Sequence, residues 1–166
     1  MQLRNKTVSV IGGSGFIGRA LVEKLARAGA RVTVLTRNTV RSKNLKPLGD
    51  VGQITVIGGD ALVNDDLTLA IQSADYVVNL IGIFHPSGKQ NFENAQAQLP
   101  QNIATVAQKT GIKKIIHLSA IGADLNSSSN YLRTKAEGER GLLLVAPSST
   151  ILRPSIVFGP GDGFFD

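Results

Sequence analysis

The 166-residue chain contains no cysteine, no tryptophan, two tyrosines and two histidines. Without cysteine it can have neither a disulfide framework nor a thiolate metal site, and a reducing cytosol fits that usage. His85 and His117 lie far apart in the sequence, so a transition-metal site has little support and no metal is expected. Six phenylalanines and two tyrosines, scattered along the chain, are too few to build a stacking platform for single-stranded nucleic acid. No apolar run approaches the roughly 20 residues that cross a bilayer; no transmembrane segment is expected, and peripheral membrane association stays open. A strand pattern begins by Thr7, so no signal or transit peptide is expected. A bacterial cytoplasmic protein, free or peripheral to the inner membrane, is the simplest expectation.

Acidic residues are also scarce: 12 Asp and Glu stand against 18 Lys and Arg, a net charge of +6. The excess sits in the first half. Between Met1 and Gly49 there are ten Lys and Arg and one acid, Glu23. Such asymmetry draws anions to that part of the molecule. Most of these side chains read as a solvated basic face. A docked polyanion is the sharper reading, with nucleic acid as the rival to a dinucleotide.

What is present is a regular alternation. Hydrophobic residues make up 42% of a chain that also carries 18 glycines, ordinary for one globular domain with many tight turns. Short β-branched runs recur at Thr7–Ile11, Arg31–Leu35, Gln53–Ile57, Tyr76–Leu80, Lys114–Leu118 and Thr150–Leu152. They are nearly continuous apolar segments, as parallel strands buried on both faces require. Helical stretches separate them: an apolar stripe from Phe16 to Ala28 stopped by Gly29, a short one around Leu67, Ala70 and Ile71, one from Pro100 to Lys109 stopped by Gly111, and Tyr131 to Val145. Asp65-Asp66 read as the N-cap and first-turn charge of the second helix. Repeated βα units predict an α/β fold with a doubly wound parallel sheet, a Rossmann domain over 1–166. The closing run Gly161–Asp166 reads as mid-fold sequence, which suggests the N-terminal part of a longer protein.

The glycine run Gly12-Gly13-Ser14-Gly15-Phe16-Ile17-Gly18 falls between the first strand and first helix. Gly12 allows the tight turn, Gly15 lets backbone approach a phosphate, and Gly18 lets the helix pack closely on the sheet. Helix N–H groups and the positive end of the dipole would then hold a pyrophosphate. A site preferring NAD(H) usually ends its second strand in a carboxylate that binds the ribose hydroxyls. Here the strand ends in Arg37-Asn38, and a guanidinium suits a 2′-phosphate. Arg41 and Lys43 follow. NADP(H) is favoured over NAD(H). Asp60 and Ala61 after the third strand, and Leu80, Ile81 and Gly82 after the fourth, occupy strand C-termini, where ligands of such sheets bind. Asp60 could accept from the adenine amino group, and Leu80–Gly82 could lie under a ribose.

A third group closes the set. The fifth strand ends in Ser119, and twelve residues on comes Tyr131 with Lys135 four residues later. On a helix these two share a face, with Cβ atoms roughly 6 Å apart. A phenol with a pKa of about 10 is a poor acid at neutral pH, and a neighbouring ammonium is expected to lower it. Ser119 would orient the substrate oxygen, and Lys135 could also hold the nicotinamide ribose.

The glycine run, Tyr131-x-x-x-Lys135 and Leu152-Arg153-Pro154-Ser155-Ile156-Val157-Phe158-Gly159-Pro160 together resemble the short-chain dehydrogenase/reductase superfamily in its extended or atypical branch. Asn79–Ile83, His117–Asp124 and Thr134–Glu139 are most similar to the subgroup that comprises the NADPH-carrying accessory subunit of respiratory complex I and its bacterial relatives. That resemblance implies a larger C-terminal region beyond Asp166 and places Pro154-Ser155 beside the nicotinamide. It also implies a nucleotide kept for structure. The short Ser119–Tyr131 loop departs from typical sugar-nucleotide epimerases and argues against nucleotide-sugar chemistry.

Other residues are read plainly. His117 sits inside a strand as a buried structural histidine, and His85 is a loop residue. Glu137 and Glu139 point to different helix faces and make a poor acid/base pair. Two functions follow from the whole. One is an NADP(H)-dependent oxidoreductase acting on a small carbonyl or alcohol, with Ser119, Tyr131 and Lys135 catalytic. The other is a non-catalytic NADPH-binding accessory or assembly protein with a respiratory-chain partner. RNA binding through the basic half is the weaker third.

Overall fold

The β-branched runs form six parallel strands: β1 (Thr7–Ile11), β2 (Arg31–Thr36), β3 (Ile54–Gly58), β4 (Tyr76–Asn79), β5 (Lys114–Leu118) and β6 (Thr150–Leu152). A computed structural model describes residues 3–86, 88, 91–112, 114–160 and 162, with only the backbone of Arg41. Of the closing run Gly161–Asp166, only Asp162 therefore lies within the described residues. The strands make one sheet in the order β3-β2-β1-β4-β5-β6. The order reverses between β1 and β4, so a crevice opens there at the strands' carboxyl ends. This is the doubly wound parallel sheet that the alternation predicts.

Side chains leave successive strand residues on opposite faces, and the core divides accordingly. Val8, Val10, Val32, Val34 and Val78 meet Val22 and Ala26 of α1 (Phe16–Arg27) together with Leu45. Ile11, Leu35, Val77 and Ile115 meet α2 (Asn64–Ile71), α3 (Leu99–Thr110) and α4 (Asn130–Val145) through Leu67, Ile71, Leu99, Ile103 and Leu142. The two faces thus carry α1 on one side and α2, α3 and α4 on the other. Gly29 and Gly111 follow α1 and α3 in left-handed geometry, with φ of 86° and 71°, and stop both helices where expected. Among the described residues, no helix is long and apolar enough to cross a membrane.

Two elements differ from expectation. Arg41–Leu48 is a 3₁₀ helix; Pro47 and the lack of an apolar stripe hide it, and it buries Ser42 and Leu45. Glu93–Gln98 winds as a π-helical turn that runs straight into α3. The Asp65-Asp66 pair is not an N-cap. Val63 occupies that position without a side-chain bond, and both aspartates lie in the first turn, where the helix dipole favours them. The Asp66 carboxylate reaches back to accept the Asp60 N–H at 2.8 Å.

Candidate functional site

Parallel register brings the strand ends level. Ile11 lies beside Leu35 and Asn79, Thr36 beside Gly58, Asn79 beside His117, and Leu118 beside Leu152. The loops that follow all leave the sheet at one edge.

Gly12 begins the first of them at φ 86°, and a Cβ there would stand 3.2 Å from both the Ile81 nitrogen and the Leu80 carbonyl carbon. The close approach of this turn to the β4 loop therefore requires glycine. A Cβ on Gly18 would strike the Gly12 carbonyl oxygen and lie 2.6 Å from the Gly13 Cα, so α1 can rest on the turn only because Gly18 has none. Gly15 is the N-cap of α1 and is exposed, with no side chain capping the helix. The first-turn N–H groups of a helix have no partner within it and together with the dipole suit an anion.

A cluster of hydroxyls ties the β2 exit to this turn. Ser42 Oγ donates to Thr36 Oγ1 at 3.1 Å and to the Asn38 carbonyl at 2.9 Å, and Ser14 Oγ is 3.3 Å from Thr36 Oγ1. The cluster fixes the loop that carries Arg37, whose side chain is exposed. A cavity of about 530 Å³ lies between these loops and is lined by Gly12, Ser14, Gly15, Arg37, Asn38, Asp60, Ala61, Leu80, Ile81 and Gly82. Asp60 is partly occupied there, since its Oδ1 accepts the Leu62 N–H at 3.0 Å.

A second cavity of about 470 Å³ shares Gly12, Gly15, Leu80 and Gly82 with the first and adds Phe16, Ile17, Gly18, Ser119, Tyr131, Lys135, Pro154 and Ser155. Every residue nominated from the sequence lines one cavity or the other. His85 is exposed and lines neither.

The ionisation of the second cavity differs from expectation. Lys135 is 3% exposed, and its Nζ donates to the Leu118 carbonyl at 3.2 Å. A Cβ on Gly82 would come within 3.2 Å of that Nζ, so the ammonium is wedged between the β4 loop and the end of β5. Burial pulls the lysine down to about 8, with the nearby Glu139 carboxylate opposing. Tyr131 stacks on Phe84 at 5.5 Å between ring centroids and meets Phe92 edge-on at 6.1 Å. Burial pushes its phenol above the usual value, with no offset from Lys135. The expected lowering of the phenol by the ammonium is therefore corrected: desolvation by burial raises it instead. Ser119 Oγ is buried and has no hydrogen-bond partner among the described residues.

Four supporting residues were not nominated. Gln96, fully buried in the π-helical turn, donates through Nε2 to the Ile83 carbonyl at 2.8 Å and accepts at Oε1 from Thr134 Oγ1 at 3.1 Å. It thereby joins the Tyr131–Lys135 helix to the loop after β4, and π turns often mark such positions. Gly138 permits this, because a Cβ there would land on the Gln96 carbonyl oxygen. Glu139, also buried, forms a bidentate pair with Arg153 at 2.8 and 2.5 Å, anchoring the segment that continues to Pro154-Ser155. The Glu139 and Arg153 signal lay in the sequence only as two opposite charges fourteen residues apart.

The family model described as "NAD dependent epimerase/dehydratase family" matches residues 8–166. NADH dehydrogenase (ubiquinone) 1 alpha subcomplex subunit 9, mitochondrial, of Mus musculus is 36% identical over 159 residues, which is 95% of this chain and 42% of the relative. Ceramide reductase of Caulobacter vibrioides is 30% identical over 155 residues, 93% of this chain and 47% of the relative. The chain thus spans less than half the length of these curated relatives. The solved UDP-glucuronic acid 4-epimerase from Bacillus cereus in complex with NAD superposes with a TM-score of 0.76 at 24% identity, over 93% of this chain and 58% of that one, a likeness in fold. The glycine turn at the switch point, the Tyr131–Lys135 helix and a family match over nearly the whole chain agree: the chain belongs to the NAD dependent epimerase/dehydratase family, the extended branch of the short-chain dehydrogenases/reductases.

Proposed function

We propose that this chain is the NADP(H)-binding unit of an accessory or assembly protein of the NADH:ubiquinone oxidoreductase type, in which the nucleotide serves mainly to hold the fold. The observation that carries this reading is Tyr131. Its ring stacks on Phe84 and meets Phe92 edge-on, and burial raises its phenol above the usual pKa, whereas an efficient proton donor at neutral pH needs the opposite shift. The likeness to the mouse subunit supports the same choice.

The residues present fit a dinucleotide. The Gly12–Gly18 turn and the uncapped start of α1 would take the pyrophosphate. Arg37, with Asn38, would face a 2′-phosphate, Asp60 and Ala61 the adenine, and Leu80–Gly82 the ribose. Lys135 would hold the nicotinamide ribose, with Pro154 and Ser155 beside the ring. A bound nicotinamide would supply a hydride donor or acceptor. In a bacterial cell such a protein would work in the cytoplasm or at the cytoplasmic face of the inner membrane.

One observation favours a second reading, an oxidoreductase acting on a small carbonyl or alcohol. The unpartnered Ser119 Oγ shares the cavity of Tyr131 and Lys135, and a spare buried hydroxyl is what a substrate oxygen would need. In that reading Tyr131 exchanges the proton, Lys135 holds the ribose and Ser119 orients the substrate.

Thermal melts with NADPH and NADH in separate samples test the cofactor. A ligand at a hundred times its Kd stabilises by about 2.7 kcal/mol, a rise of roughly 5–10 °C for a chain of this size. The larger rise is expected with NADPH; no rise with either, or a larger one with NADH, overturns the assignment. For the role, Tyr131→Phe should leave the cellular phenotype intact while Arg37→Ala does not. The reverse pattern would favour the oxidoreductase.

A further inference from the structure

We infer that His117 is a positioning residue for the nucleotide site: its Nδ1 sets the orientation of the Asn79 side-chain amide, which in turn holds the Leu80–Gly82 turn. The inference rests on the reading of that turn as part of the nucleotide site.

The chain of bonds starts from a group whose role is unambiguous. The Ile81 backbone N–H can only donate, and it donates to the Asn79 side chain at 3.1 Å, so the atom facing it is the amide oxygen. The amide nitrogen then faces His117, 3.1 Å from Nδ1. An amide nitrogen only donates, so Nδ1 must be the acceptor and the imidazole proton must sit on Nε2. A ring protonated on both nitrogens would set N–H against N–H and release the amide. His117 is 1% exposed; burial, and then the charge of Lys135, lower its pKa to about 4 despite the opposing Glu139 carboxylate. The neutral form is therefore the one present.

The turn needs this support. The Leu80 N–H still joins the sheet through the Ile11 carbonyl at 2.8 Å, and Gln96 holds the Ile83 carbonyl. Between those two anchors, the bond from the Ile81 N–H to Asn79 shapes the chain. The same stretch packs against Gly12 on one side and the Lys135 ammonium on the other. A displaced turn would thus disturb both ends of the site. His117 Nε2, by contrast, is buried and has no hydrogen-bond partner among the described residues. Packing alone would be served better by leucine, which leaves no N–H bare. The ring's retained function is its other nitrogen.

Isosteric substitution separates the two nitrogens. The Oδ1 of asparagine falls near Nδ1 of histidine, and the Oε1 of glutamine near Nε2. His117→Asn, His117→Gln and His117→Leu would be compared with the unaltered protein by two readouts. The first is hydrogen exchange of the Ile81 amide without nucleotide, measured by NMR; the second is the NADPH dissociation constant from fluorescence titration. Loss of one such bond corresponds to about five- to tenfold in each readout. We expect that change in His117→Gln and His117→Leu, with the neighbouring β4 amides still protected, and near-normal values in His117→Asn. Wild-type Ile81 exchange in a folded His117→Gln or His117→Leu variant overturns the inference, as does a His117→Asn variant as impaired as His117→Gln. If the unaltered protein binds no NADPH, the nucleotide reading fails, and the Ile81 exchange still decides the role of His117.

Discussion

The buried ammonium of Lys135 makes the nucleotide-free protein less stable than its fold allows, and Lys135→Met should reveal by how much. The lysine falls from 10.5 to about 8 on folding, a shift worth on the order of 3 kcal/mol at about 1.4 kcal/mol per pKa unit. The unfolded chain binds this proton more tightly than the folded one between pH 8 and 10.5, so stability climbs with pH across that window. Below pH 8 the full penalty applies. Methionine fills a similar volume without charge and removes the penalty, but it leaves the Leu118 carbonyl without its donor, which costs about 1 kcal/mol. The net expectation at pH 7 is a gain of about 2 kcal/mol, or roughly 4–8 °C in Tm for a chain of this size. Urea denaturation at pH 7, 8, 9 and 10 would measure it. The parent protein should gain stability from pH 8 to 10, and the variant should stay level. Measurements should stop at pH 10, because above it the raised phenol of Tyr131 favours the folded state less as the unfolded chain loses its proton first. A variant no more stable than the parent at pH 7, or a parent whose stability is flat from pH 8 to 10, would refute the reasoning.

Three further outcomes are expected. Gly138→Ala should destabilise the protein by about 1–3 kcal/mol, because its methyl would land on the Gln96 carbonyl and α4 would have to move; an unchanged urea midpoint would count against the close packing. His117, lowered to about 4, makes the unfolded state bind more protons between pH 4 and 6.5, so stability should fall by up to about 3 kcal/mol as pH drops through that range. His117→Leu should remove that part of the acid slope, and an identical slope in both proteins would contradict it. Arg37→Glu should weaken NADPH binding by about ten- to a hundredfold, the worth of a charged hydrogen bond, while NADH affinity holds or improves; equal losses for both nucleotides would remove Arg37 from the 2′-phosphate.

Much of this architecture was legible from local pattern. The runs that became β1 and β5 carry their strand character in consecutive β-branched and apolar residues, and both were read with the bounds they have. Gly29 and Gly111 end their helices because left-handed backbone is cheap only for residues such as glycine. The π-helical turn was not legible, since Glu93–Gln98 is mostly polar and offers no apolar stripe. It depends on Gly138, some forty residues away, leaving room beside the Gln96 carbonyl.

The candidate site divides along the same line. The amino-acid order alone placed the strand ends to within a residue, with β2 and β3 ending one residue later and β4 one residue earlier than read, and a parallel sheet levels those C-termini. The glycine turn, Arg37, Ser119, Tyr131 and Lys135 were therefore nameable in advance. Tertiary structure alone decided the surroundings that raise the Tyr131 phenol and lower Lys135 and His117. Phe84 and Phe92 close on Tyr131 from other segments of the chain, the Leu118 carbonyl takes the Lys135 ammonium, and Asn79 holds His117 across two strands. Desolvation depends on everything packed around a group, and that surrounding comes from residues far apart in sequence.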